Sequence, residues 1–186
     1  MTLLVIGLVL WTAAHFFKRV APGARASLAR SLGAGPSKGV VAAVIALGLV
    51  LTVIGYRRAG VTPVYDPPSW GVHLNNLMML IAVGLFGAAH SKSRVRGWLR
   101  NPMLTSVVIW AVAHLLVNGD VASLVLFGWM GLWALADILT IDTQEPAKPA
   151  PAASVAGDVR LVVITLVAFA VIVAIHTWLG YPPFPQ

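Results

Sequence analysis

Two histidines stand inside apolar runs of this chain, each with a tryptophan four residues before it. The strings are WTAAH, from Trp11 to His15, and WAVAH, from Trp110 to His114. An ionisable side chain in hydrocarbon is costly, so a histidine there is first read as functional. Neutral imidazole is a good metal ligand. The two strings therefore indicate a buried metal or a metal-carrying cofactor.

The neighbours of these histidines fit such a cofactor and also fit a simpler role. A tryptophan at position i−4 lies on the same helical face as its histidine, where an indole can pack against a ring system. Small side chains also flank the histidines, and they leave room for a flat macrocycle or for another helix: Ala13, Ala14, Ala111 and Ala113. The alternative is close helix packing, with each histidine hydrogen-bonded across a helix interface. Spacing alone leaves both open.

Three more histidines lie near the ends of apolar runs. His73 and His176 fall at the predicted outer interface, where packing or hydrogen bonding is the ordinary role, although with His114 they could form an outward-facing cluster. His90 lies among basic residues at the opposite boundary. No catalytic residue is identified. The predicted metal ligands are His15 and His114, and the wider predicted cofactor-binding set is His15, His114, Trp11, Trp110, His73 and His176.

Composition places these residues in a membrane. Of 186 residues, 59% are hydrophobic and only 10% are charged, whereas a soluble domain carries about 25% charged residues. The chain has no cysteine, which excludes disulfides, iron–sulfur clusters and covalently attached haem. Any haem would be b-type and non-covalent. The net charge of +7 comes from basic residues in short loops, so nucleic acid is not an expected partner.

Apolar runs predict an all-α, polytopic membrane helix bundle formed by a single domain, residues 1–186. A span needs about 20 residues, and the first and fourth runs are short, so five is the alternative to the preferred count of six. The predicted spans are 2–17, 39–56, 72–90, 103–117, 121–141 and 161–179.

Charge predicts the orientation of the bundle. The loops after the first, third and fifth runs hold eleven of the 13 basic residues. Positive loops mark the cytoplasm, so both termini should face outward in a bacterial inner membrane. His15 and His114 then lie about 20 Å from opposite faces, within about 10 Å of one another in depth. That depth permits both imidazoles to ligate one tilted porphyrin.

The remaining polar residues predict local structure. Asn118-Gly119 favours a tight reversal between antiparallel helices, and the Pro/Ala-rich stretch 144–157 predicts a flexible linker. Asp137 could pair with Arg96 or Arg100. Two residues of the third run are expected to hydrogen-bond between helices, namely Asn75 and Asn76. Nucleophilic triads, phosphate-binding loops and buried carboxylate pairs are absent from the sequence.

Several strings resemble the NnrU family of bacterial membrane proteins along nearly the whole chain. They are AHFFKRVAPGARA after the first run, WGVHL at 70–74, the long stretch 99–137 and the terminal HTWLGYPPFP. The family is associated with denitrification and nitrite or nitric-oxide metabolism. It is similar to 15-cis-zeta-carotene isomerase, a membrane b-haem enzyme.

The resemblance implies particular ligands. The haem-ligand histidines of the isomerase correspond to His15 and His114, in agreement with the reading from the residues. A further isomerase histidine, in an Arg-His-Pro string, is replaced here by Asn101. This departure leaves the ligand pair intact and weakens an assignment as an isomerase.

Three functions remain open at this stage. The first is a membrane b-haem protein with a redox role or cis–trans isomerase activity, whose partners are lipid and either a hydrophobic substrate or a respiratory or denitrification complex. The second is a non-enzymatic accessory protein for assembly of such a complex. The third is a dihaem electron carrier, with His15 and His90 as the inner pair and an outer pair drawn from His73, His114 and His176.

Overall fold

The fold is a helix bundle, seen in a computed structural model that describes residues 1–146 and 152–184. Those residues form no β-strand, which confirms the predicted all-α class. A short 3₁₀ helix covers Arg94–Gly97. The α-helices are α1 (Thr2–Val20), α2 (Pro22–Leu32), α3 (Ala34–Arg57), α4 (Gly71–Ala88), α5 (Pro102–Leu115), α6 (Val121–Gln144) and α7 (Val155–Trp178).

Five helices, α1, α3, α4, α6 and α7, are long and apolar enough to cross a membrane. The fourth predicted span is helix α5, which has only 14 residues. Its length is therefore about 21 Å, shorter than a hydrocarbon core of about 30 Å. Pro102 opens α5 at its first turn, and a turn at Leu116–Val117 closes it before the predicted end. Residues 1–146 and 152–184 thus contain five full-length candidate spans and one short apolar helix.

Helix α2 lies where the sequence predicts only a basic loop. Pro22 starts it at a position where the missing proline N–H costs nothing. Alanine, leucine and arginine, all good helix formers, make up seven of its other ten residues. Gly33 separates α2 from α3 with a φ of 85°, a backbone conformation that glycine adopts without steric cost. The apolar pattern used to find spans gives no weight to so short and basic a helix.

Both ends of the predicted flexible linker, 144–157, are helical. Helix α6 runs to Gln144, and α7 begins at Val155 rather than near 161. The Ser154 side chain caps α7 by accepting a 3.0 Å hydrogen bond from the Gly157 backbone N–H. The middle of the predicted linker, residues 147–151, lies outside the described residues.

The chain divides into two compact units. The first, Met1–Thr62 with Asp120–Trp129, contains α1, α2, α3 and the start of α6. In it, α1 and α3 pack along glycines: a Cβ added at Gly55 would lie 2.2 Å from the Leu4 backbone nitrogen, and one at Gly48 would lie 2.9 Å from that of Trp11. Small residues therefore let the two backbones approach closely.

The second unit is Pro63–Gly119 with Met130–Gln186, in which α4 packs against α5 and α7. Tyr65, in the segment before α4, binds the turn that follows α5. Its hydroxyl donates to the carbonyls of Leu115 and Asn118. The backbone N–H of Tyr65 donates to the Gly119 carbonyl at 3.1 Å. Asn76 donates to the Pro183 carbonyl at 2.8 Å, so it binds the segment after α7 rather than another helix.

Candidate functional site

His15 lies near the end of α1 and is half-buried. Its Nδ1 is 2.8 Å from the Trp11 carbonyl oxygen. A carbonyl can only accept, so Nδ1 carries the proton and donates. The Trp11 and His15 rings lie 4.4 Å apart between centroids, with their planes inclined by 33°. One helical turn thus fixes both the tautomer and the ring orientation of His15.

His114 repeats this arrangement in α5. Its Nδ1 lies 2.9 Å from the Trp110 carbonyl oxygen, and the two rings are 5.1 Å apart between centroids. The carbonyl of His114 accepts a 2.8 Å hydrogen bond from the Asn118 side-chain amide. Asn118, whose own carbonyl accepts from Tyr65, is therefore hydrogen-bonded directly to the backbone of His114.

The shared geometry determines which atom of each imidazole could coordinate a metal. With the proton on Nδ1, Nε2 carries the lone pair. A hydrogen bond from the other ring nitrogen to a backbone carbonyl is the usual support of a metal-bound histidine, because it orients the ring and raises ligand basicity. The donor chemistry of His15 and His114 therefore fits haem iron.

The predicted outer histidines are not equivalent. His176, in α7, also has its Nδ1 bonded to a carbonyl one turn back, that of Ile172, at 2.8 Å. His73, in the first turn of α4, has an exposed side chain. No three His, Asp or Glu side chains converge on a metal-ion site within residues 1–146 and 152–184. His73, His114 and His176 therefore do not form a three-ligand ion site.

His90 and Asn101 both lie at helix ends. His90 is exposed after the end of α4, and its ring lies 6.3 Å from that of Phe86. Asn101 precedes α5 and donates a 2.9 Å hydrogen bond from its side-chain amide to Asp142. It is separated from His114 by about 20 Å of helix.

One of the small residues beside the histidines packs against another helix. Ala111 is buried, and its Cβ would lie 3.2 Å from a Cβ added at Gly131 of α6. At this position a small side chain allows α5 and α6 to approach closely. Ala13 is exposed.

Arg96 and Arg100, the predicted ion-pair partners of Asp137, contact other groups. Arg96 donates from Nε to the Ala89 carbonyl at 3.1 Å. Arg100 pairs with Asp142 at 2.9 Å. Asp142 thereby holds both Arg100 and Asn101 against the end of α6. Asp137 itself is buried.

Two polar contacts escape sequence analysis because their partners are distant in the chain. The indole N–H of Trp129 donates a 2.9 Å hydrogen bond to the hydroxyl of Thr12, 117 residues away. It therefore fixes the helical turn that contains Trp11 and His15. At the other contact, the Tyr56 hydroxyl lies 2.9 Å from the hydroxyl of Ser123, across 67 residues.

Ser123 joins this contact to Asp120, which precedes α6. The Ser123 backbone N–H and hydroxyl donate to the two carboxylate oxygens of Asp120 at 3.0 and 2.5 Å. Partial burial alone would raise the pKa of Asp120, but the hydrogen bonds from Ser123 and neighbouring backbone groups outweigh it and hold that pKa below its usual value. The carboxylate is thus an ionised cap of α6.

A family model described as NnrU protein matches residues 3–183. The match covers nearly the whole chain and confirms the family predicted from the sequence strings. Searches of curated proteins and of solved structures find no match.

Proposed function

The chain belongs to the NnrU family, and we propose that it is a membrane b-type haem protein with His15 and His114 as axial ligands. The observation that carries the proposal is the repeated local geometry. Two tryptophan–histidine pairs on different helices each have Nδ1 bonded one turn back, at 2.8 and 2.9 Å. This leaves Nε2 as the coordinating atom in both.

The surrounding residues would hold such a cofactor in one orientation. Trp11 and Trp110 each restrict the rotation of the imidazole beside them. The backbone carbonyls that accept from Nδ1 raise the basicity of Nε2, the nitrogen that would bind the iron. Near the first pair, the indole N–H of Trp129 donates a hydrogen bond to the Thr12 hydroxyl. Near the second pair, the side-chain amide of Asn118 donates to the His114 carbonyl. Bound haem supplies one-electron redox chemistry whose potential depends on its axial ligands and burial.

We place the redox role in denitrification or nitric-oxide metabolism because of the family resemblance. The haem-dependent isomerase is the weaker alternative, since Asn101 stands where the isomerase has a histidine. Asn101 is bound to Asp142, which gives it a structural task at the start of α5. An accessory protein that holds no haem is the non-enzymatic alternative.

One observation keeps the dihaem carrier in consideration. His176 shares the Nδ1-to-carbonyl geometry of His114, with which it would form an outer ligand pair. An outer haem held by this pair would require a second haem per chain. The stoichiometry of haem therefore separates the two haem hypotheses.

The test is haem quantification on protein expressed in a haem-replete host and purified in detergent. We expect one haem per chain, lost in His15→Ala and in His114→Ala and retained in His90→Ala, the matched control. Size-exclusion elution and helical circular dichroism establish that each variant is folded. Absence of haem from the wild-type protein, or its retention in both ligand variants, would overturn the proposal, while two haems per chain would favour the dihaem carrier.

A further inference from the structure

The basic helix α2 lies at the membrane surface. Helices α1 and α3 are candidate spans that pack against one another in the same unit. A single residue, Ala21, joins α1 to α2, and Gly33 joins α2 to α3. Because the end of α1 and the start of α3 must lie at the same face of the membrane, the 11 residues of α2 lie there too.

One face of α2 is attached to α3. Arg25 donates from Nη1 to the hydroxyl of Ser37 at 3.2 Å, and Ser37 is completely buried. Leu28, one turn further along α2, is half-buried. Arg30 lies on a different face and is exposed. The helix is therefore held by Arg25 and presents Arg30 outward.

Two exposed lysines flank α2 and complete a basic surface. Lys18 lies in the last turn of α1, and Lys38 lies in the early part of α3. We call Lys18, Arg30 and Lys38 the α2 basic surface. Lys18, Arg30 and Lys38 are exposed and make no ion pair with any residue that the structure describes.

No acidic side chain of the same unit can neutralise this charge. The sequence contains no Asp or Glu before Asp66. The remaining acidic residue of the unit, Asp120, is bonded to Ser123, which contacts Tyr56 near the opposite end of α3. An anion at the α2 basic surface must therefore come from outside the unit.

We propose that the α2 basic surface binds the phosphate headgroup of an anionic phospholipid. Its position at the membrane surface selects a lipid over other anions, because headgroup phosphates occupy that depth. Clustered basic side chains beside a span attract anionic lipids and each contributes to binding. The inference is independent of haem and holds whether or not His15 and His114 are ligands.

The test uses the full chain reconstituted into nanodiscs that contain equal amounts of phosphatidylglycerol and phosphatidylcholine. Native mass spectrometry then measures which lipid the protein retains when it is released from the nanodisc. Wild-type protein should retain phosphatidylglycerol preferentially. Each charge removed should reduce that preference by about fivefold. The combined variant Lys18→Gln, Arg30→Gln, Lys38→Gln should therefore lose the preference, while Arg30→Lys should keep it.

The matched control is Ser27→Gln with Ser31→Gln, which alters two exposed side chains of α2 without changing their charge. It should leave the preference unchanged. If the combined variant does not fold, the single variant Arg30→Gln compared with Arg30→Lys gives the same test. Equal retention of both lipids by wild-type protein, or an equal loss in the control, would overturn the proposal. So would displacement of the lipid by inorganic phosphate or by a short DNA strand at a similar concentration.

Discussion

At the scale of single residues, the backbone determines what the two tryptophan-paired histidines can do. Because each tryptophan precedes its histidine by four residues, the two rings lie side by side, with centroids 4.4 Å apart in the first pair and 5.1 Å in the second. The Nδ1 hydrogen bond uses the carbonyl of that same tryptophan. Sequence alone could predict the paired faces, because i and i+4 adjoin on any helix. It could not predict the tautomer, which depends on the rotamer.

Contacts between distant residues were beyond prediction. Asn101 looks from the sequence like a lost functional histidine, whereas the structure gives it a hydrogen bond to Asp142, 41 residues away. Trp129 and Thr12 are likewise joined only by the fold. Nothing in local pattern or periodicity distinguishes such partners from the many other polar residues of the chain.

The cap formed by Asp120 carries a prediction at this scale. Asp120→Ala should lower the free energy of unfolding by about 1 kcal/mol, because it removes the acceptor for the first turn of α6. Asp120→Asn should retain most of that stability, since an amide oxygen also caps a helix. Unfolding in detergent provides the measurement, and Asp66→Asn, in an exposed loop, is the control.

The same pair of variants separates charge from capping. The pKa of Asp120 is lower in the folded protein than in the unfolded chain, so its ionised form contributes stability above an unfolded pKa of about 3.9. That contribution is lost as pH falls through the folded pKa. Wild-type protein should therefore lose stability on acidification relative to Asp120→Asn. Parallel pH profiles for the two proteins would contradict this account of the cap.

At the scale of elements, the packing of α1 on α3 positions the first tryptophan–histidine pair. Gly48 lies so close to Trp11 that an added Cβ would be 2.9 Å from its backbone nitrogen. Hydropathy predicted both helices but not this contact, because glycines appear in apolar runs for several reasons. The short helix α2 was missed for a related reason: a periodicity search for spans ignores helices that lie at the interface.

Enlarging a glycine in this contact should separate the helices. Gly55→Val should lower the free energy of unfolding by about 1–3 kcal/mol or more through overpacking, because even a Cβ there would meet the backbone of Leu4. Gly39→Ala is the control, since a Cβ there meets nothing within 4 Å. Thermal unfolding in one detergent compares the two. Equal stability of both variants would show that α1 and α3 do not pack as described.

At the scale of the whole molecule, composition was sufficient to predict the fold class. Low charge and long apolar runs predicted an all-helical membrane protein, and the part of the chain that the structure describes contains five helices of spanning length. Helix α5 differs from the prediction, because its 14 residues fall below the length of a span although its composition is apolar. Hydropathy measures composition, whereas proline and turn residues determine where the helix begins and ends.

The orientation inferred from charge is directly testable because the chain lacks cysteine. A single cysteine placed by Ser69→Cys, before α4, should react with a membrane-impermeant thiol reagent in intact cells. One placed by Ser27→Cys, in α2, should react only after the membrane is permeabilised, since basic loops remain in the cytoplasm. The reverse pattern of labelling would invert the proposed topology.

The central claim is that His15 and His114 together ligate one non-covalent haem. The most direct measurement is the near-infrared magnetic circular dichroism spectrum of the oxidised, purified protein, because the position of its charge-transfer band identifies the axial ligand pair. If His15 and His114 are the ligands, the spectrum will be low-spin, with the band of bis-imidazole ligation. A high-spin spectrum, a band assigned to another ligand pair, or protein without haem would contradict it.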